Sequence, residues 1–442
     1  MRWRLALMLC AVLGSAASEP KVFPYAWDEY DFPNGLRLIT IRTDYPNVVA
    51  LYIVVQAGSR NEVEPGKSGF AHLFEHMMFR GTRRYPPEKY EAVLKAAGAS
   101  SNAYTTDDHT AYHTTFSKED LETILAMEAD RFQNLEYSRD VFRTEALAVL
   151  GEYNKNSSDP ANKLEEVLRD TAFDRHTYKH TTMGFLKDIL QMPEHYDYSR
   201  LFYERYYRPE YTTIILAGDI EPAKARELVG KHWGSWKRGN FRPEIPVEPP
   251  PGGPRTNHIE WPTPTLPWVV VAFRGPAYSD EEPDHLALDL IAYLGFSETS
   301  ELYRKLVIRE QRVDVLEAEN LRRLDPYLFA VWARVKKQED VAAVQEEILA
   351  TLARFAAEPV EPHRLERVKR HLRYRFALSL RDSEAVAATV ARFVALRRTP
   401  ATIDRLFALY EQLTPAAIQA VARKYFVEAG RTVVTLAGGK PQ

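Results

Sequence analysis

Two stretches of this chain repeat one another, and the repeat limits the possible folds more than any other feature. Arg205-Tyr206-Tyr207-Arg208-Pro209-Glu210-Tyr211-Thr212-Thr213-Ile214-Ile215-Leu216-Ala217-Gly218 lies near the middle. Arg423-Lys424-Tyr425-Phe426, followed by Arg431-Thr432-Val433-Val434-Thr435-Leu436-Ala437-Gly438, lies near the end. Each reads as a helix end, a buried β-branched strand and a glycine stop. Earlier apolar runs correspond as well, Val48 to Val55 in one half and Pro267 to Phe273 in the other. A duplicated α/β unit fits this pattern. Nine prolines fall between Phe241 and Pro267, with Pro249-Pro250-Pro251 running into Gly252-Gly253. Such a stretch is extended and semi-rigid. The expected division is residues 19–240, a Pro-rich linker over 241–266, and residues 267–442. Each half is then about two hundred residues, near the usual domain size.

Local signals support an α+β reading. Asn34-Gly35 between Tyr30-Asp31-Phe32 and Leu36 to Ile41 marks a hairpin. Ser117 with Asp120 opens an amphipathic helix carrying Leu121, Ile124, Leu125, Ala129 and Phe132. Thr414-Pro415 starts another, with proline at the first helical position.

The start of the chain predicts export. Met1-Arg2-Trp3-Arg4 is basic, Leu5 to Gly14 is apolar, and Ser15-Ala16-Ala17-Ser18 supplies small residues for cleavage after Ala17 or Ser18. Residues 1–18 therefore read as a secretory signal peptide. The run is too short for a membrane span, which needs about 20 apolar residues, and no later stretch qualifies. The expected destination is a bacterial periplasm, with full secretion as the second possibility. Cys10, the single cysteine, lies inside the signal and follows Leu9, which argues against lipoprotein processing. The mature chain thus has neither disulfides nor a thiolate metal site. A net charge of −3 over 442 residues, with no long basic run, gives no footprint for nucleic acid.

Chemistry concentrates in Gly69-Phe70-Ala71-His72-Leu73-Phe74-Glu75-His76-Met77-Met78-Phe79-Arg80-Gly81-Thr82. Histidines four apart share one helix face, so His72 and His76 can reach one tetrahedral zinc. Glu75 stands beside them, placed to hold a water rather than the metal. The order matches the inverted signature H-x-x-E-H. A catalytic zinc needs a third protein ligand and an open fourth position. Arg143 to Lys155 reads as helical and puts Glu145 and Glu152 seven apart on one face. One can bind metal while the other orients a histidine.

Together these segments resemble the pitrilysin, insulysin and mitochondrial-processing-peptidase family, in its bacterial two-domain form. The family's third ligand is the last Glu of an E-x-x-x-V-x-x-E-like run. Glu152, 76 residues after His76 and with Val149 in place, keeps that pattern. The resemblance implies one zinc per chain held by His72, His76 and Glu152, with Glu145 as the supporting acid and Glu75 as the general base. It also implies two homologous α/β-sandwich domains facing each other as a clam shell. Ala99 to His113 is rich in Thr and Tyr and resembles the family's edge strand G-A-x-x-N-A-x-T, which pairs with extended substrate, and Asn102, Ala103 and Tyr104 match it. His109 and His113 read as structural or surface residues sharing one strand face.

One family feature is missing. Members complete in one chain carry an Arg and a Tyr in the C-terminal half that stabilise the oxyanion. Aligned on Glu310-Gln311, those positions hold Val307 and Asp314, and neither can donate a hydrogen bond. The preceding Gly295-Phe296-Ser297-Glu298-Thr299-Ser300 is poorer in glycine than the family's loop. The expectation is a zinc endopeptidase subunit for unstructured peptides, completed as a heterodimer by a homologous subunit without zinc. A self-sufficient monomer or homodimer, using Arg304, Arg309 or Tyr303, is the alternative. A non-catalytic peptide-binding or assembly subunit is the third reading.

Overall fold

A computed structural model describes residues 21–439; the expected signal peptide and Cys10 lie outside the described residues. The first half builds one sheet from β1 (Trp27–Asp31), β2 (Arg37–Arg42), β3 (Val48–Val55), β4 (Ser100–Thr105), β5 (Thr110–Ser117) and β6 (Thr212–Gly218). The second builds another from β7 (Arg255–Trp261), β8 (Trp268–Arg274), β9 (Val313–Asn320), β10 (Leu328–Val335) and β11 (Arg431–Gly438). The orders are β1-β2-β6-β3-β5-β4 and β7-β11-β8-β10-β9. With β1 set aside, the two sheets have the same topology. Each has one parallel pair, β2 with β6 and β7 with β11, and antiparallel pairs elsewhere. This common order identifies the duplicated unit.

Sequence explains position within a sheet. β3 (VVALYIVV) is apolar on both faces and runs through the middle, as a doubly covered strand must. β4 (SSNAYT) is polar and lies at a free edge. Its counterpart β9 is the free edge of the second sheet.

The halves are bound by an exchange of helices. Five helices matter here: α1 (Phe70–Met77), α2 (Arg139–Asn156), α3 (Pro160–Ala172), α4 (Pro362–Leu378) and α5 (Ser383–Arg397). Helix α3 leaves its own half and packs on β7 and β11, where Leu164 and Leu168 join Val270, Val434 and Leu436. Helix α5 crosses the other way onto β3 and β6, where Val386, Val390 and Val394 join Tyr52, Val54 and Ile215. The two sandwiches close on one another as a clam shell.

A buried ionic knot marks the crossing. Asp107, 1 % exposed in the β4–β5 turn, accepts from Ser59 Oγ at 2.9 Å and Arg169 Nη1 of α3 at 2.7 Å. It also pairs with Arg323 of the second half at 2.5 Å. Burial works to raise the Asp107 carboxyl, but Arg169 and Arg323 outweigh it and hold it well below the usual carboxylate range.

Several details differ from the sequence reading. The stretch 241–266 is not connector throughout, because Arg255–Trp261 forms β7. Its remainder is pinned: Glu248 accepts from the Asp174, Arg175 and His176 N–H groups and from Arg274. Strand β8 begins at Trp268, one residue after Pro267, which has no N–H for the ladder. The helix expected from Ser117 starts with a 3₁₀ turn and becomes α-helical at Leu121. Gly295 and Phe296 close the helix Asp284–Phe296 rather than open a loop. Among the described residues no helix is long and apolar enough to cross a membrane.

Replacing Asp107 by Asn should leave two buried guanidinium groups short of a counter-charge and lower stability by roughly 3–5 kcal/mol, read as a fall in the urea midpoint. Because the folded-state pKa is depressed, this contribution is complete above about pH 4–5 and is lost as the pH falls below that range. The acid sensitivity of unfolding should therefore shrink in Asp107→Asn. An unchanged urea midpoint would show that the knot contributes nothing.

Candidate metal centre

Helix α1 is set in place before its histidines are. Gly69 precedes it with φ +90°, and a Cβ there would meet the Met183 carbonyl at 3.0 Å. The fully buried Glu62 reaches the helix start, one oxygen accepting from Gly69 N–H and the other from Ala71 N–H, both at 2.7 Å. Burial raises the pKa of Glu62, and the two N–H groups oppose the rise. An acceptor at a helix N-terminus satisfies donors that have no partner within the helix.

From this start α1 projects His72 and His76 along one face, their ring centroids 4.9 Å apart and nearly perpendicular. Helix α2 brings up Glu152, whose Oε2 lies 3.6 Å from His72 Nε2 and 3.6 Å from His76 Nε2. Two donors bound to one tetrahedral zinc at ordinary lengths sit about 3.3–3.4 Å apart, so the observed spacing leaves room for the ion. Among the described residues, these three form the one group of His, Cys, Asp or Glu side chains whose ligand atoms all lie within 4.8 Å of one another. Two imidazole nitrogens and a carboxylate oxygen suit zinc by donor type.

The surroundings favour the same use. Burial, with His76 adding to it, pushes His72 down to about 4, so its ring is neutral at physiological pH. Glu145, also on α2, lies 3.7 Å from His76 Nδ1 and 3.1 Å from Arg80. That contact raises His76 against burial and orients its ring from behind. His72 has no such support: its Nδ1 is buried without a partner.

Glu75 faces the same space. Thr105 Oγ1, on edge strand β4, donates to Glu75 Oε2 at 2.7 Å. Burial raises the Glu75 carboxyl and this bond opposes it. Thr105 was not singled out in the sequence, although it is the final Thr of the edge-strand motif. Glu62 gave no sequence signal beyond standing before the metal helix.

A cavity of about 330 Å³ opens in front of the triad, lined by Glu75, Ala103, Tyr104 and Thr105 among others. All its lining residues fall between His72 and Met183. Asn102 is exposed, and its side-chain oxygen accepts from Ala103 N–H at 2.9 Å. The histidines set aside as non-ligands differ from one another. His109 is buried in the β4–β5 turn rather than on a strand, and His113 stacks on Tyr52.

Val307 sits half-buried in the π-helical turn Arg304–Arg309, packed against the core. Asp314, on edge strand β9, is bonded by Arg334 at 2.8 and 3.0 Å. Tyr303 lines a different cavity, along β9, and Arg304 and Arg309 are exposed. None of the five lines the cavity before the triad.

Comparison with known proteins gives a consistent picture. Residues 37–185 match the family model of insulinase, peptidase family M16, and residues 196–372 match that of the peptidase M16 inactive domain. The chain is 27 % identical over 439 residues to the zinc protease PqqE of Helicobacter pylori, covering 98 % of this chain and 97 % of that protein. The crystal structure of a protease from Helicobacter pylori superposes with a TM-score of 0.87 at 27 % identity, over 94 % of this chain and all of that one. The periplasmic protease PqqL from Escherichia coli shares the fold, with a TM-score of 0.71 at 18 % identity, and this chain spans 48 % of its length.

Replacing Glu152 by Ala should abolish stoichiometric zinc in the purified chain, measured by elemental analysis. Glu145→Gln should weaken zinc affinity by roughly 10–100-fold while leaving a full site at saturating metal. Undiminished zinc in Glu152→Ala would remove it from the ligand set.

Proposed function

The chain belongs to the insulinase family of peptidases, family M16, and on that premise we propose that it is the zinc-bearing subunit of an endopeptidase for unstructured peptides. The observation that carries this reading is the convergence of His72, His76 and Glu152 on one side of a cavity that Glu75 and a free strand edge also line. Zinc, when bound, polarises the scissile carbonyl and makes water more acidic. The chain's own residues do the rest. An extended peptide adds to the free edge of β4, so that backbone hydrogen bonds hold it whatever its sequence. Asn102, Ala103 and Tyr104 supply that edge, and Asn102 must release the Ala103 N–H as the peptide docks. Glu75 accepts a proton from the attacking water and returns it to the leaving amine. Thr105 holds the Glu75 carboxylate in the orientation this requires.

On this reading one requirement is not met among the described residues. The developing oxyanion needs donors, and losing even one typically costs about 10²–10³ in rate. Val307 and Asp314 cannot serve, and the cavity lining contains no residue of the second half. A homologous partner without zinc, presenting an Arg and a Tyr across the cleft, would complete the site. The greater length of PqqL, about twice this chain, is compatible with two such units in one polypeptide. A self-sufficient monomer or homodimer is the second reading. Intact His72, Glu75, His76 and Glu152 weigh against a non-catalytic assembly subunit. The exported, periplasmic location rests on the signal-like residues 1–18.

Glu75→Gln keeps the shape of the side chain but cannot take the proton. It should retain zinc while hydrolysis of an unstructured peptide falls by about 10²–10⁴; near wild-type turnover would exclude Glu75 as the base. The purified chain alone should hydrolyse slowly and gain rate on mixing with the homologous subunit. Rapid zinc-dependent turnover by a species that light scattering identifies as this chain alone would defeat the two-chain reading.

A further inference from the structure

A second cavity, of about 600 Å³, lies where the two halves meet. Tyr52, Tyr104 and His109 of the first half face Arg322, Arg323 and Arg392 of the second. Tyr104 also lines the cavity before the metal triad, so the two spaces adjoin across one residue of the edge strand. Thr105 points to Glu75, and Tyr104 is its neighbour in β4. A strand paired with β4 alternates its side chains in the same way, sending one set toward the metal and the other toward this second space.

The charges on the wall are unequally engaged. Asp108 accepts from Tyr178 Oη at 2.6 Å and from Leu324 N–H at 3.0 Å. Asp289 accepts from Tyr410 Oη at 2.6 Å and Asn320 Nδ2 at 2.7 Å, and pairs with Arg322 at 3.1 Å. Arg323 is held by Asp107. Arg392 is exposed on α5 and, among the described residues, makes neither a hydrogen bond nor an ion pair. It lines the cavity together with Tyr52, Tyr104 and His109. His109 is 7 % exposed and its Nε2 is buried without a partner. The cavity therefore combines two carboxylates that are already satisfied, one unengaged guanidinium, one unpartnered ring nitrogen and two phenol rings.

We propose that this interdomain cavity is a substrate subsite for a carboxylate, gripped by Arg392 between the rings of Tyr52 and Tyr104. A guanidinium fork matches a carboxylate with two parallel hydrogen bonds. The carboxylate comes either from an Asp or Glu side chain of the bound peptide or from its C-terminus. The subsite rests on the reading that β4 accepts an extended peptide, and it adds a preference for peptides with an acidic group at one fixed distance from the scissile bond.

The test uses the zinc-loaded Glu75→Gln chain and fluorescence anisotropy of labelled, unstructured peptides. One Glu, or Gln in its place, is moved through a neutral sequence, and each peptide is made as free acid and as C-terminal amide. One position of Glu, or the free terminus, should bind about tenfold tighter than its neutral counterpart, the scale of one charge-assisted hydrogen bond in a partly wet site. Dependence on the position of Glu identifies a side chain as the source, and dependence on the free acid identifies the terminus. The preference should vanish on adding Arg392→Gln, persist in part with Arg392→Lys, and turn toward Lys-bearing peptides with Arg392→Glu. Equal binding of Glu and Gln peptides, or a preference that survives Arg392→Gln, overturns the subsite while leaving the peptide-binding edge intact. If no peptide binds in any form, the edge-strand reading fails and the subsite fails with it.

Discussion

The central strands of both sheets are apolar on two faces, and the helices that each half keeps to itself cover only one of them. That constraint organises the molecule. Each half covers one face with its own helices and borrows a helix from the other half for the second face: α5 over β3 and β6, α3 over β7 and β11. Burying side chains such as Leu164, Leu168, Val390 and Val394 contributes roughly 1.5–3 kcal/mol each. The exchange therefore makes the two halves one cooperative body rather than two tethered domains. It also sets the site, since α3 follows directly from α2, the helix that carries Glu145 and Glu152.

Where the two exchanged layers meet, charges are buried, and they are satisfied rather than avoided. Asp107 collects Arg169, Arg323 and Ser59 at the turn that ends β4. A buried ion pair is weak support for stability in itself, but removing one member is costly. The knot therefore acts as a register pin. It fixes the end of the edge strand relative to α3 and to the second half, and so fixes Thr105 and Tyr104 against the metal helix on one side and the arginine-lined cavity on the other.

Carboxylates near the metal centre divide their roles by environment. Glu62 is fully buried and bound to the start of α1, Glu145 stands behind His76, Glu152 turns its Oε2 to both histidines, and Glu75 is held by a threonine hydroxyl. Four acids of the same kind, within one turn of the histidine helix or facing it, do four different jobs because their neighbours differ.

Much of this was legible in the residues. The repeated strand and glycine stop gave the duplication because a β-branched run needs a sheet wherever it falls. The spacing of His72, Glu75 and His76 gave the metal face because helical geometry is local. The edge position of β4 was legible only through the resemblance to the family's G-A-x-x-N-A-x-T strand, since its residues alone also suit an ordinary hairpin. Three things were decided only in three dimensions. Residues 255–261 look like linker, yet pair as β7 because β11 offers a vacant edge, a partner far away in the chain. The exchange of α3 and α5 has no local signature, since an apolar helix stripe does not say which sheet it will cover. The meeting of Arg392 with Tyr104 depends on that exchange, and sequence separation conceals it. Local chemistry was written in the sequence; which half covers which, and what faces edge strand β4 from behind, was settled by long-range packing.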